Sequence, residues 1–283
     1  MVELDETKKL YYEDNFARLP ELTIAWPSVY SYHEDSYALE VLANYLSNAK
    51  NAPLYQHLVA EKELTDRVQM FNYTSELAGQ LMLQVTAYSE VDLDSVEDAV
   101  FETFKKFEAE GIPESDLERI KAQQETNFYN SLSSVLGKGF QLAQYQIFAN
   151  DPNYINKDVE KILAVTAEDV MHVYKEYIKD QHFVATSFVP QGQTELALEN
   201  SEEAEVVEEK IVMNAEEEVN ASADASYEKT PSSFDRSIEP PYGSTPELNA
   251  PDIWKKTLPS GLKLYGITNN EVPLVKFSLE MQG

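Results

Sequence analysis

The sequence predicts an α+β domain, an antiparallel or mixed sheet flanked by several helices, and three observations carry that reading. Two strand-like runs, Val68 to Thr74 and Leu81 to Tyr88, stand close enough to form a hairpin with Gly79 near its turn. The helical periods are grouped between Asp94 and Lys179. A last apolar run, Phe183 to Val189, closes the region. The resulting order, β-α-α-β-β-α-α-α-α-β, lacks the strict strand–helix alternation of a doubly wound parallel sheet.

Each element has its own local reason. Leu22 to Val29 combines Trp26 with β-branched residues and reads as a strand, and Pro27 marks an edge position or a bend. Ala38, Leu42, Tyr45 and Leu46 recur at helical spacing and predict a helix from Ser36 to Ser47. Pro53 is tolerated in a first helical turn, so Leu54, Leu58 and Val59 predict a second, short helix. From Asp94 to Glu110, Val96, Val100, Phe104 and Phe107 fall on one face, and Gly111 supplies the stop.

Ser115 to Glu118 has the pattern of a capping box, opening a long helix toward Leu136. Gly137 and Gly139 are expected to break it before a stretch that runs to Phe148 and ends at Asp151–Pro152. Helices are then expected over Ile155 to Ala164 and Ala167 to Lys179. The second has Thr166 as its cap, Asp169 three residues on, and Val170, Val173, Tyr174, Tyr177 and Ile178 on one face.

Charge divides the chain into three parts. The 283 residues hold 22 Lys and Arg against 50 Asp and Glu, a formal charge of −28. Residues 193–250 alone hold fifteen acidic and three basic residues with few large apolar ones, a composition that cannot offset its ordering entropy. That segment is read as an acidic linker, although Phe234, Ile238 and Tyr242 could lie as a strap on a folded surface. Residues 1–192 form the complete domain. In residues 251–283, Gly261 to Thr268 and Leu274 to Met281 read as two strands, too few for a core, and so as the truncated start of a following domain.

The same arithmetic narrows function. The negative charge disfavours nucleic acid and anionic membranes as partners. With no cysteine, disulfides, thiol catalysis and Cys-based zinc sites are excluded. No apolar run reaches the roughly 18–20 residues of a membrane helix, and MVELDETKK lacks the layout of a signal peptide, so a soluble chain is expected.

No catalytic, cofactor-binding or metal-ligating residue is assigned. The four histidines, His33, His57, His172 and His182, include no pair at i, i+4, and neither H-E-x-x-H nor H-x-x-E-H occurs. His33-Glu34-Asp35 is read as a helix start whose acidic pair complements the dipole, and His172 as solvent-facing. Gly137-Lys138-Gly139 suits a hinge better than a phosphate cradle. Glu90, Asp92 and Asp94 flank a helix start, where they can cap it, and lack the glycine spacing of an EF-hand. The 17 tyrosines suit an interface or chamber wall, and equally ordinary packing.

Order and spacing of many weak matches now point further. The run ARLPELTIAWPSV, the helix SYALEVLANYLS, the segment PLYQHLVAEKELTDRVQMFN, the strand GQLMLQVTAY, the helical pair from Asp92 to Gln123 and the closing FVATSFVP resemble a non-catalytic domain of the pitrilysin/insulinase family of zinc metallopeptidases. The tail LPSGLKLYGITNNEVPLVKFSLEMQG resembles the start of the next homologous domain.

The resemblance implies four α+β domains in two halves, closing around a chamber that holds a peptide. Zinc is then expected in the parent protein's first domain and not in this chain, whose partners would be the remaining domains of the same polypeptide. This domain would be a substrate-enclosing wall, inert by itself, and an acidic chamber would favour basic peptides. An inactive subunit or scaffold acting through protein–protein contacts is the competing expectation, and an independent acidic binding module a third. Exported bacterial relatives make the periplasm or cell envelope the compartment that the resemblance suggests.

Overall fold

The structure is a computed structural model and describes residues 3–206, 235, 237–239, 241–245 and 250–281. Two compact units result, one of residues 1–205 with 271–283 and one of residues 206–270. In the first, alternation builds the sheet. Leu22, Ile24, Trp26 and Ser28 are buried along β2 (Glu21–Ser28) while their neighbours face the other way. Leu81, Leu83, Val85 and Ala87 do the same along β4 (Gly79–Ala87), which forms the expected hairpin with β3 (Thr65–Thr74).

With β1 (Lys8–Asp14), β5 (Val184–Pro190) and β6 (Glu202–Glu203), the strands of this sheet run in the order β3-β4-β2-β5-β1-β6. β5 lies between β2, to which it is antiparallel, and β1, to which it is parallel. The sheet is therefore mixed. Pro27 lies beyond Ala25, where β5 pairing ends, so its missing N–H costs no bond on that side although β2 is an interior strand.

Helices cover one sheet face. α1 (Glu34–Ser47), α2 (Leu93–Glu110) and α6 (Ala167–Tyr177) pack against the strands, and Trp26 meets Phe104 of α2 with ring centroids 6.0 Å apart. Tyr174 of α6 rests edge-on against Phe107 at 5.1 Å. The Tyr177 hydroxyl donates to Asp35 at 2.6 Å, tying α6 to the first turn of α1. α3 (Glu114–Ser131), α4 (Val135–Gln144) and α5 (Ile155–Ala164) follow, with α3 and α5 packed on α1. Phe71, Tyr73 and Phe188 are exposed on the opposite sheet face.

Several expectations change. The short helix after Pro53 is a π-helix (Tyr55–Glu61), closed by Lys62 N–H to His57 C=O, and its wider turn lets His57 and Leu58 both face inward. Ser115 caps nothing. Pro113 is the N-cap of α3, and its carbonyl accepts from Asp116 and Leu117, so Ser115 is already helical and out of reach of that role. Gly137 and Gly139 lie inside α4. The break falls at residues 132–134, where Ser134 caps α4 through the Gly137 N–H and the chain passes so close that a Cβ on Gly137 would meet the Ser131 carbonyl. A π-helix (Tyr145–Ala149) extends α4 and ends at Asn150 in the left-handed region. The capping box of Thr166 and Asp169 forms as expected.

The C-terminal strands also pair differently. β8 (Lys263–Gly266) pairs with β7 (Trp254–Thr257), not with residues 274–281, which form no strand; Val275 and Phe277 there are almost fully exposed. The five-residue connection closes locally through Leu258 N–H to Leu262 C=O and Gly261 N–H to Leu258 C=O, which makes Trp254–Thr257 the nearer partner.

Expected linker residues prove partly folded. Leu196, Ala197 and Leu198 are buried, and β6 (Glu202–Glu203) pairs with β1, so ordered packing continues past Gln193. Ile238 and Tyr242 are exposed, and Phe234 with most of the acidic stretch lies outside the described residues.

Gly79 supplies a test of the hairpin. It pairs with Ser28 on one side and Thr74 on the other, and an added Cβ would sit 2.3 Å from the Val29 carbonyl oxygen and 2.9 Å from that of Tyr73. Backbone on both sides leaves little room to relax. Gly79→Ala is expected to cost about 1–3 kcal/mol, read from the urea unfolding midpoint; an unchanged midpoint would contradict this packing.

Candidate functional site

Helix-forming stretches place most of the residues considered above in structural roles. His33 is the N-cap of α1, its Nδ1 accepting from the Asp35 N–H at 3.1 Å. His172 is exposed on α6, and His182 reaches only Thr7, at 3.3 Å. Asp92 caps α2 through the Asp94 N–H, and Asp94 accepts from the Glu199 N–H with both oxygens at 3.1 Å. Lys138, between its glycines, pairs with Glu271.

His57 is the exception, because the sequence shows it no partner that is spaced as a metal ligand. It is buried between two carboxylates, with Nδ1 2.7 Å from Glu61 and Nε2 2.8 Å from Glu102. Lys62 also meets Glu102, at 2.8 Å. Among the described residues no group of three or more His, Asp or Glu is placed to hold a metal ion.

These contacts set a pH dependence. The hydrogen bond from Lys62, then that with His57, pulls the Glu102 carboxyl down to about 2. A carboxyl depressed in the fold stabilises it above its ordinary range near 4.5 and loses that contribution as pH falls toward the folded value. Glu102→Gln should therefore lower the thermal midpoint at neutral pH, and the gap to the parent chain should close between about pH 5 and pH 2. Midpoints that differ equally across that window would contradict the assignment.

The structure brings together a second group that the sequence left dispersed among ordinary tyrosines. Asp158 lies in the first turn of α5, where an acid usually faces solvent, yet it is only 7% exposed. Tyr37 of α1 donates to one carboxylate oxygen and Tyr145 of the second π-helix to the other, each at 2.7 Å. Tyr32, Tyr145 and Tyr154 pack in a triangle with ring centroids 5.3–5.7 Å apart. Residues distant in sequence thus meet because α5 folds back over α1.

Beside this cluster lies a cleft of about 600 Å³, with Glu40 and Asp158 among its lining. Amides from Gln124, Asn127, Gln141 and Gln144 border it, and among the described residues neither lysine nor arginine lines it. Burial, then the Asp158 charge, pushes the Tyr32 phenol up to about 12. The same burial raises Tyr37 and Tyr145 well above the usual phenol range, so both remain protonated donors at neutral pH. Surrounding protein, then the Asp158 charge, raises the Glu40 carboxyl as well, although its side chain reaches solvent. Among the residues that line the cleft, none forms a nucleophile–base pair.

Residues 2–124 match the family model of the peptidase M16 inactive domain. No curated protein matches the chain. Among solved structures, a protease from Helicobacter pylori aligns with a TM-score of 0.60 at 19% identity, over 66% of this chain and 44% of that one. An inactive peptidase domain from Bordetella parapertussis aligns at 0.56 and 18%, over 61% of this chain and 91% of its own. The periplasmic protease PqqL from Escherichia coli gives 0.56 and 14%, over 66% and 21%. The chain thus spans less than half the length of the Helicobacter protein. At these identities the structural likeness establishes the shared α+β fold.

Proposed function

Residues 2–124 match the peptidase M16 inactive-domain family, and from that match we propose that the chain supplies a non-catalytic wall of a larger zinc-dependent peptidase. The family match is the observation that carries the proposal. Alignment over 91% of the Bordetella inactive peptidase domain supports it, since the fold there corresponds to nearly a whole domain of that kind.

On this reading the chemistry belongs to another part of the parent polypeptide. Zinc would sit there, polarising a peptide carbonyl and activating water. This chain would hold no catalytic, cofactor-binding or metal residue and would contribute packing surface and enclosure. Residues 1–192 would be the wall domain, extended by the folded segment up to Glu205. The acidic stretch between there and residue 250 would be a self-repelling tether that lets two halves open for a peptide and close again. Residues 251–283 would begin the following domain. The described residues contain no helix long and apolar enough to cross a membrane. The Escherichia coli relative is a periplasmic protease, and the same compartment is proposed for this one.

The 283-residue chain, purified without chelator, should carry far less than one zinc per molecule after dialysis and should not cleave unstructured peptides. A longer polypeptide that contains this chain and an H-x-x-E-H segment should cleave them and lose that activity to a chelator. Cleavage by the 283-residue chain alone, abolished by chelation and restored by zinc, would overturn the proposal.

A further inference from the structure

We infer that the cleft beside Tyr32, Tyr37, Glu40 and Asp158 receives the protonated side chain of a lysine or arginine in a bound peptide. The inference rests on the wall reading above and names the class of peptide that such a wall would hold.

Among the described residues the lining carries two carboxylates and no cation. Both oxygens of Asp158 accept from neutral phenols, so its hydrogen bonds are satisfied while its carboxylate has no ion pair among the described residues. Glu40 is simpler still: its carboxylate has no hydrogen bond or ion pair among the described residues, and it opens on the cleft. A phosphate or carboxylate ligand would meet repulsion from both groups. A purely apolar ligand would cover them without replacing their water, which costs free energy. An ammonium or guanidinium group answers both charges at once.

Ring chemistry agrees. Tyrosine faces attract cations within about 6 Å, and the chain's own lysines already use this: Lys157 Nζ lies 5.9 Å from the Tyr154 ring centre and Lys161 Nζ 5.9 Å from that of Tyr37. Neither lysine lines the cleft. The bordering amides can pair with peptide backbone as well as with ammonium hydrogens, which favours a side chain carried on a peptide over a free amine. The volume falls within the usual range for a ligand cleft.

The test uses the 283-residue chain and a dye-labelled, end-blocked nonapeptide of Gly, Ser and Ala with one central lysine, read by fluorescence anisotropy. The lysine peptide should bind about tenfold more tightly than its norleucine counterpart. Glu40→Gln should weaken the lysine peptide about fivefold at an unchanged thermal midpoint. Asp98→Asn, which removes an exposed carboxylate outside the cleft, should change it less than about twofold. Equal effects of the two variants would mean attraction to net charge and would overturn the inference. So would absent binding, or free butylammonium binding as tightly as the peptide. Peptide binding that ignores side-chain charge would sink this inference alone, whereas zinc-dependent cleavage by the isolated chain would sink the wall reading.

Discussion

The fold depends on β5 entering the middle of the sheet. β3 and β4 form a local hairpin and β2 adds to β4 across a connection that holds α1 and a π-helix, but β1 has no neighbour until β5 arrives some 170 residues later. By bonding β2 on one side and β1 on the other, β5 turns the antiparallel set β3-β4-β2 and a loose N-terminal strand into one surface. That surface is where the helices lay down their apolar faces. Six α-helices and two π-helices lie between β1 and β5 in sequence, so the loop closure is long and the contacts that reward it must be many.

The helical layer inherits this constraint. α1 packs on β3, α6 is tied to α1 through Tyr177 and Asp35, and α5 lies over α1 so that Asp158 faces Tyr37. The cleft lies among that stack, lined by α1, α3, α4 with its π-helical extension, and α5. Two negative groups remain at its wall because the phenols that bury Asp158 bring hydrogen bonds without positive charge. The His57 cluster has the opposite logic, since Lys62 and the imidazole answer its carboxylates locally. One site is electrostatically closed, the other open.

What the sequence disclosed follows from the range of the interactions. Period-two runs with a buried face, such as Leu22-Ile24-Trp26 and Leu81-Leu83-Val85, are visible because burial repeats every second residue. The α2 face and the Thr166 capping box are visible for the same local reason. β1 is not, because KKLYYED has no strong alternation and its Lys9 is accommodated by an ion pair to Glu97 on α2. The capping box at Ser115 misled because Pro113 already supplied the cap. Asp158 gave no signal beyond an acid in a first helical turn, and its tyrosine partners come from α1 and the second π-helix; only the tertiary fold assembles them. The expected strand over residues 274–281 failed because strand propensity without a pairing edge leaves a segment extended and exposed.

Native-state hydrogen exchange across a denaturant series tests the central claim most directly. If β5 holds the sheet together, amides of β2, β4 and β5 should merge into a single isotherm that coincides with global unfolding. Exchange of β5 and β1 through a smaller, separate opening, with β2, β4 and β3 still protected, would show that these three strands stand without the inserted one.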